Sequence, residues 1–546
     1  VAQVLIGWGD DLNGKPAPGF PLSEAQQLER FGFNNDFIAY MPLRGSEQGL
    51  LCVNHEYPIG HLMYPGFTSD TEAKRGASIA QVHYEMASVG HAVVEIHLRD
   101  GNWSIAPNSR YARRIHASTP MAVDGPASGH PLLRTSADPQ GKRILGTLGC
   151  CAGGKTPWGT VLIAEENVGD YFVNAGANLL ASTDEEDIFS RWAAAEPRFD
   201  ASRERNELNR FGWVVEFDPY NNASTPIKHT ALGRFEHESA TVAHQAGKPL
   251  VVYSGDDSEN QSVYRFVSDE PYIPGDRENN LALLSRGTLY CARFKDDGTG
   301  EWLPLRHGSG PLTAKNGFSD QATVLVDVRR AAALMGATPM DRPEGIAIHP
   351  ASGAVYVSLT SNEEKTARNA ANPRYSNTAG HILALHPPQD ADGIAHWQDE
   401  FRWDLLLEGG DPDATGDAQG RYDGTLPKDA WLANPDNLAF DVRGRLWIAT
   451  DGMNDFNLAD GLWCSGTAEG AAVPYYFLRC PRGAELCGPE FTPDGRTLFA
   501  AVQHPGDEDG SDFNKPSTRW PDFRPGVPAR SAVLAIRHEN NRLIGD

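Results

Sequence analysis

The side chains best able to do chemistry gather in short segments: Asn54-His55-Glu56, Cys150-Cys151, Glu165-Glu166, Glu236-His237-Glu238, Asp256-Asp257, Arg342-Pro343-Glu344 and Gln503-His504-Pro505. Carboxylates are hard donors suited to calcium, and a thiolate among them is a softer donor that favours a transition metal. Cys151 also suits a buried thiol or a vicinal disulfide with Cys150, and Gly153 and Gly154 let backbone approach a ligand. Arg342 stands among acids; its guanidinium can fork onto phosphate oxygens or form a salt bridge to a neighbouring carboxylate. The Glu-His-Glu triplet lacks metalloprotease spacing, and neither a nucleophile-elbow serine nor a dinucleotide glycine motif occurs. Residues 149–156 satisfy the letters of a P-loop. That loop needs a helix after its Lys-Thr pair, whereas 157–163 read as a turn and a strand.

A repeated strand pair must position these groups. A polar residue opens an apolar run, a Gly turn follows, and a second apolar run ends on another polar residue. From Glu344, residues 344–353 lead into 355–362; from Asp436, 436–444 lead into 446–451; from Glu490, 490–495 lead into 498–504. From Glu238, 238–247 lead into 250–257, and Thr156 opens a fifth unit ending at Glu166. In an antiparallel hairpin the first residue lies beside the last, so both polar groups meet at one edge of the sheet. Taken singly, an acid at a strand end is an ordinary turn residue. Five in one register predict an all-β chain, a β-propeller with long loop insertions and a few short helices, its acids converging at one mouth. Strands at 287–294 and 380–385 are expected outside the hairpins, and helices over 23–31, 183–195 and 326–336. Converging carboxylates repel one another, and cations relieve that.

Composition agrees. The 546 residues carry a net charge of −24, which disfavours binding to nucleic acid or anionic lipid. At 40% hydrophobic residues the chain can bury a core, and it holds no apolar run of about 18 residues, so no membrane span is expected. No linker divides it, so 1–546 is read as one domain. Its start has no signal-peptide pattern, and composition does not choose a compartment. Seven cysteines are too few to hold the fold; Cys480 and Cys487 could pair across a short loop, while Cys52 and Cys291 read as buried thiols.

The strings Gly7-Trp8-Gly9-Asp10, Asn54-His55-Glu56-Tyr57, 151–160, Glu165-Glu166-Asn167, 233–238, Gly255-Asp256-Asp257, Arg342-Pro343-Glu344, Pro435-Asp436 and 503–506 together resemble the PhoX-type alkaline phosphatases. The resemblance runs in order along nearly the whole chain. It implies a six-bladed propeller, twin-arginine export to the periplasm or outside, and hydrolysis of phosphate monoesters; separately, the chain is expected to be a monomer. The resemblance also implies a cluster of about two ferric and about three calcium ions joined by an oxo group. A cluster-held oxygen would then be the nucleophile, with no serine phosphoenzyme. Residue by residue, Cys151 matches the iron-ligating cysteine, and Glu56 and Glu238 match cluster carboxylates. Arg342 is expected to hold the phosphate and Glu344 to serve the cluster. Glu165, Glu166, Asp256, Asp257, Asp436 and Glu485 are expected as further ligands or their neighbours. Two departures matter: Cys150 stands where a polar residue such as Asn is expected, and Glu236 and Ser239 replace small flanking residues. Two rival functions are a calcium-dependent propeller lactonase or esterase, in which Cys151 would be dispensable, and a non-catalytic scaffold, which would carry no stoichiometric iron.

Overall fold

The computed structural model describes residues 1–546 apart from 179, 183, 364, 366, 428–429 and 466–472. Short apolar runs between Gly turns make an all-β chain of mostly antiparallel sheets with a few short helices.

Six hairpins carry the site. They are β1 (Asn35–Arg44) with β2 (Gln48–His55), β3 (Cys150–Lys155) with β4 (Val161–Glu165), and β5 (His237–Ala243) with β6 (Pro249–Asp256). The other three are β7 (Pro343–Ile348) with β8 (Val355–Leu359), β9 (Pro435–Phe440) with β10 (Leu446–Thr450), and β11 (Glu485–Phe491) with β12 (Thr497–Gln503). The first strands touch in the order β1, β3, β5, β7, β9, β11, and β11 touches β1 again, so they close a ring. Further strands extend each hairpin outward; among them Gly287–Phe294 and His381–His386 lie outside their hairpins as expected. The chain ends meet in one sheet, where Ala2–Gly7 pairs with Ala532–Arg537, which pairs with β12.

Apolar side chains fill the spaces between neighbouring sheets. Ile38 and Val53 pack with Phe499, Ala501 and Val533 across one such space. Across the next, Ala39 and Cys52 pack with Cys150, Val161 and Ile163. Cys291 is a buried thiol in another core cluster. All seven cysteines are free, so neither the Cys480–Cys487 pair nor a Cys150–Cys151 disulfide forms. Adjacent strand residues point to opposite faces, which sends Cys150 into the apolar layer and away from Cys151.

Two hairpin registers differ from expectation. Thr156 lies in the turn between β3 and β4, and Cys151 takes the ring-end position; a strand follows, so the P-loop reading fails for want of a helix. Glu490 lies near the turn end of β11, where it pairs with Lys155, and Glu485 takes the ring end.

The helices are shorter than expected. Ser23 caps a single turn, Glu24–Gln27, with Gln26 completing the capping box. Val328–Met335 ends at Gly336, whose φ of +85° suits a left-handed cap. Of 183–195 only Trp192–Ala195 is helical, and Thr183 lies outside the described residues. There the amides of Phe189 and Arg191 donate to Asp170 and Lys74 carbonyls, so tertiary partners displace the helical ladder. No helix among the described residues is long and apolar enough to cross a membrane.

One buried ion network ties three strands to the turn before β4. His229 Nδ1 lies 2.9 Å from Asp124 and Nε2 2.9 Å from Glu216, which also accepts from Trp158 Nε1 at 2.7 Å. A neutral ring has one N–H, so only the charged form serves both carboxylates. Burial alone would lower the His229 pKa, but Asp124 and Glu216 lift it from 6.5 to about 10. Its stabilisation is therefore complete below pH 6.5 and lost as pH rises through about 10. Replacing His229 by Leu strands two carboxylates and should cost about 3–5 kcal/mol. Thermal unfolding across this range checks it: the gap between parent and variant should be widest at the acid end and narrow toward pH 10.

Candidate metal centre

The ring places a donor at or next to the second residue of every first strand: Asp36 on β1, Cys151 on β3, Glu238 on β5, Glu344 on β7, Asp436 on β9 and Glu485 on β11. Five of the second strands are followed at once by another such group: Glu56, Glu166, Asp257, Asp451 and His504. In all six hairpins the register shifts beside this end, for example between Glu238 and Thr241 and between Pro343 and Ile346. A bulge re-aims a side chain at a strand end without moving the strand.

Glycine lets the strand ends close in. A Cβ on Gly255 would sit 2.1 Å from the Pro343 carbonyl oxygen, and one on Gly345 would sit 2.4 Å from that of Asp436. Gly154 likewise abuts the Ala240 carbonyl and Gly153 that of Leu162. The two glycines of β3 thus serve strand packing, and backbone rather than a ligand occupies the space expected for one.

Four overlapping groups have donor atoms within 4.8 Å of one another: Asp36, Glu56 and Cys151; Cys151, Glu166 and Glu238; Glu238, Glu344 and Asp436; and Asp36, Glu485 and Cys487. Every member is buried. The Cys151 thiol donates to Asp36 Oδ2 at 3.1 Å, and Gln503 Nε2 donates to Glu56 at 2.9 Å and to Asp36 at 3.2 Å. Glu238 is 0% exposed and neither of its oxygens has a hydrogen-bond partner; Asp36 Oδ1 is likewise buried and unpartnered.

Electrostatics follow from this crowding. Burial, then the charge of Asp36, raises Glu56 to about 8. Burial, reinforced by neighbouring carboxylates, holds Asp36, Glu166, Glu238, Glu344, Asp436 and Glu485 well above the carboxylate range. Asp257 is the exception: burial would raise it, but the Arg342 guanidinium holds it low. Arg342 Nε and Nη2 bond Asp257 at 2.9 and 2.8 Å, and Nη2 lies 3.1 Å from Glu344. Its side chain is 31% exposed while both acids are 7% exposed, so the guanidinium faces outward over the ring. Its backbone is left-handed at φ +51°, an uncommon state for a residue with a Cβ.

Of the expected ligands, Cys151, Glu56, Glu238, Glu344, Glu166, Asp436 and Glu485 come together. Asp257 stands beside them on Arg342. Glu165 and Asp256 do not join the four groups. The alternation of β4 turns Glu165 to the other face, where Lys228 Nζ bonds it at 2.6 Å and the Gly212 and Trp213 amides each at 3.1 Å. Asp256 is clamped by Arg329, with Nε 3.0 Å from Oδ2 and Nη2 2.6 Å from Oδ1. Asp36, Asp451 and Cys487 were not expected. Asp36 had a signal, since it opens an apolar run in the same register as Glu238 and Asp436.

Unpartnered carboxylates and a thiol fit cations: carboxylates favour calcium-like ions, and sulfur favours a transition metal at Cys151. A family model described as alkaline phosphatase PhoX matches residues 1–506. The solved structure of Pseudomonas fluorescens PhoX in complex with vanadate, a transition state analogue, is 37% identical with a TM-score of 0.90, covering 100% of this chain and 96% of that one. A Dyadobacter fermentans protein of unknown function is 9% identical over 98% of this chain and 99% of that one, with a TM-score of 0.36. A Xanthomonas campestris gluconolactonase is 10% identical over 77% of this chain and 87% of that one, with a TM-score of 0.28. No curated protein matches.

Two substitution sets separate ring from scaffold. Glu165→Gln should cost about 3–5 kcal/mol of stability by stranding Lys228, yet leave the folded protein's metal content intact. Glu166→Gln should lower metal content, yet cost the metal-free protein no stability because it removes one of the crowded carboxylates, as elemental analysis beside thermal unfolding would show. Gly255→Ala should push Glu344 outward at a cost of about 1–3 kcal/mol and reduce metal retained after dialysis.

Proposed function

Because this chain belongs to the PhoX family of alkaline phosphatases and hydrolyses phosphate monoesters, we propose that its buried ring is the catalytic metal centre and Arg342 its phosphate-binding group. The observation that carries this is Glu238: a fully buried carboxylate with two unpartnered oxygens, among other acids, beneath an outward guanidinium.

Asp36, Glu56, Cys151, Glu166, Glu238, Glu344, Asp436 and Glu485 would hold the cations. The family resemblance supports about two ferric and about three calcium ions with an oxo group, and sulfur at Cys151 among hard carboxylates suits such a mixture of transition-metal and calcium ions. When bound, such ions supply Lewis acidity toward phosphoryl oxygens and toward the attacking oxygen. The chain's own contribution is charge and aim. At −24 net charge it would repel a phosphate ester, and Arg342 provides local positive charge at the ring. Asp257 and Glu344 grip Nε and Nη2, which fixes the guanidinium plane; neither pair uses Nη1, leaving it for an equatorial phosphoryl oxygen. The hydroxyls nearby are engaged elsewhere: Ser254 donates to the Ser239 carbonyl at 2.7 Å and Ser258 to Glu236 at 2.7 Å, so neither is assigned as a nucleophile.

The same reading takes residues 1–546 as one six-bladed β-propeller domain with insertions. The closed ring of first strands and the meeting of both chain ends in one sheet support it. Export by the twin-arginine route to the periplasm or outside follows from the family resemblance, and the same reading takes the protein as a monomer. The charge argues against a nucleic-acid partner.

Purified protein should contain stoichiometric iron and calcium and turn over p-nitrophenyl phosphate, and chelation should abolish both together. Arg342→Met should lower kcat/KM about 100- to 1,000-fold with metal content unchanged. Full activity in a metal-free preparation would overturn the proposal.

A further inference from the structure

The ring has two sulfur donors, and they flank one carboxylate. In ring order β11, β1 and β3 are consecutive. Cys487 comes from β11, Asp36 from β1 and Cys151 from β3. Two of the donor groups therefore share Asp36: one adds Glu56 and Cys151, the other Glu485 and Cys487. Each holds two carboxylates and one thiol.

Cys487 differs from the other buried thiols. Cys52 and Cys150 lie in an apolar layer. The Cys487 sulfur also borders apolar side chains, but its thiol donates to Glu485 Oε1 at 2.8 Å. Asp36 Oδ1 and Gln503 Oε1 are among the buried oxygens here that have no hydrogen-bond partner. Asp36 Oδ2 is already engaged by Cys151 and Gln503, so a second acceptor oxygen remains on the same carboxylate.

We propose that Asp36, Glu485 and Cys487 form a second sulfur-bearing cation position, bridged through Asp36 to the one at Cys151 and selective for thiophilic divalent ions such as Cd2+ or Zn2+ over calcium. This rests on reading the ring as a cation site. Each thiol releases its proton to solvent as its sulfur binds the ion, so one Cd2+ per position displaces one thiol proton. Glu485 then turns from accepting the Cys487 proton to sharing the cation with it.

The test uses the full chain, stripped of metal and kept reduced, with Cd2+ alone as the probe. Thiolate-to-cadmium ultraviolet absorption reports sulfur ligation directly and needs no turnover. Wild type should reach about twice the amplitude of Cys487→Ser or Cys151→Ser, and the double variant should give the baseline from the remaining cysteines. Cys487→Ala repeats the measurement with a residue suited to the apolar side of that position, and circular dichroism confirms that each variant is folded. A full wild-type band in folded Cys487→Ser and Cys487→Ala, carried by Cys151 alone, overturns this inference and leaves the metal-centre reading standing. No band above baseline in wild type overturns both.

Discussion

Carboxylates that cannot all ionise where the fold puts them are the constraint on which the rest of this structure depends. Taking one carboxylate out of water is costly, and placing others beside it adds repulsion. The raised pKa values of Asp36, Glu56, Glu166, Glu238, Glu344, Asp436 and Glu485 express that penalty. Bound cations remove it, and the same charge that settles the protein attracts a phosphate ester. Stability and function share one cause here, as expected where metal binding contributes to folding free energy.

The chain sorts its acids by partner. Glu165 is given Lys228, Asp256 is given Arg329, and Glu216 is given His229. Each is buried, but each has a cation from the protein itself. Asp257 and Glu344 share one, Arg342, which is more exposed than the others. Asp36, Glu56, Glu166, Glu238 and Asp436, in the middle of the ring, are given none. Consecutive residues such as Glu165 and Glu166 fall on opposite sides of this division, because a one-residue step turns a side chain to the other face of a strand.

Close approach makes the ring small enough to matter. Bulges turn a residue at or next to the second position of each first strand inward, and Gly255 and Gly345 let the next backbone come within a distance that any side chain would block. A looser ring would hold the same residues as separate, partly hydrated carboxylates.

Local pattern determined the hairpins, the turn glycines, the all-β class and the polar register at strand ends, because alternation and turn chemistry are written over five to ten neighbouring residues. It also singled out Glu238, Glu344 and Asp436 as acids that open hairpins; Cys151 stood out by its donor chemistry alone, since the pattern opened its hairpin at Thr156. Register beyond the turn was not legible. Glu490 and Thr156 opened apparent units yet sit near or in the turns, since an apolar run alone does not say where pairing starts. Which acid gains a cationic partner was equally hidden: Lys228 lies 63 residues from Glu165, and Arg329 lies 73 from Asp256. Only the folded chain decides such pairings, because they join side chains whose proximity no local pattern encodes.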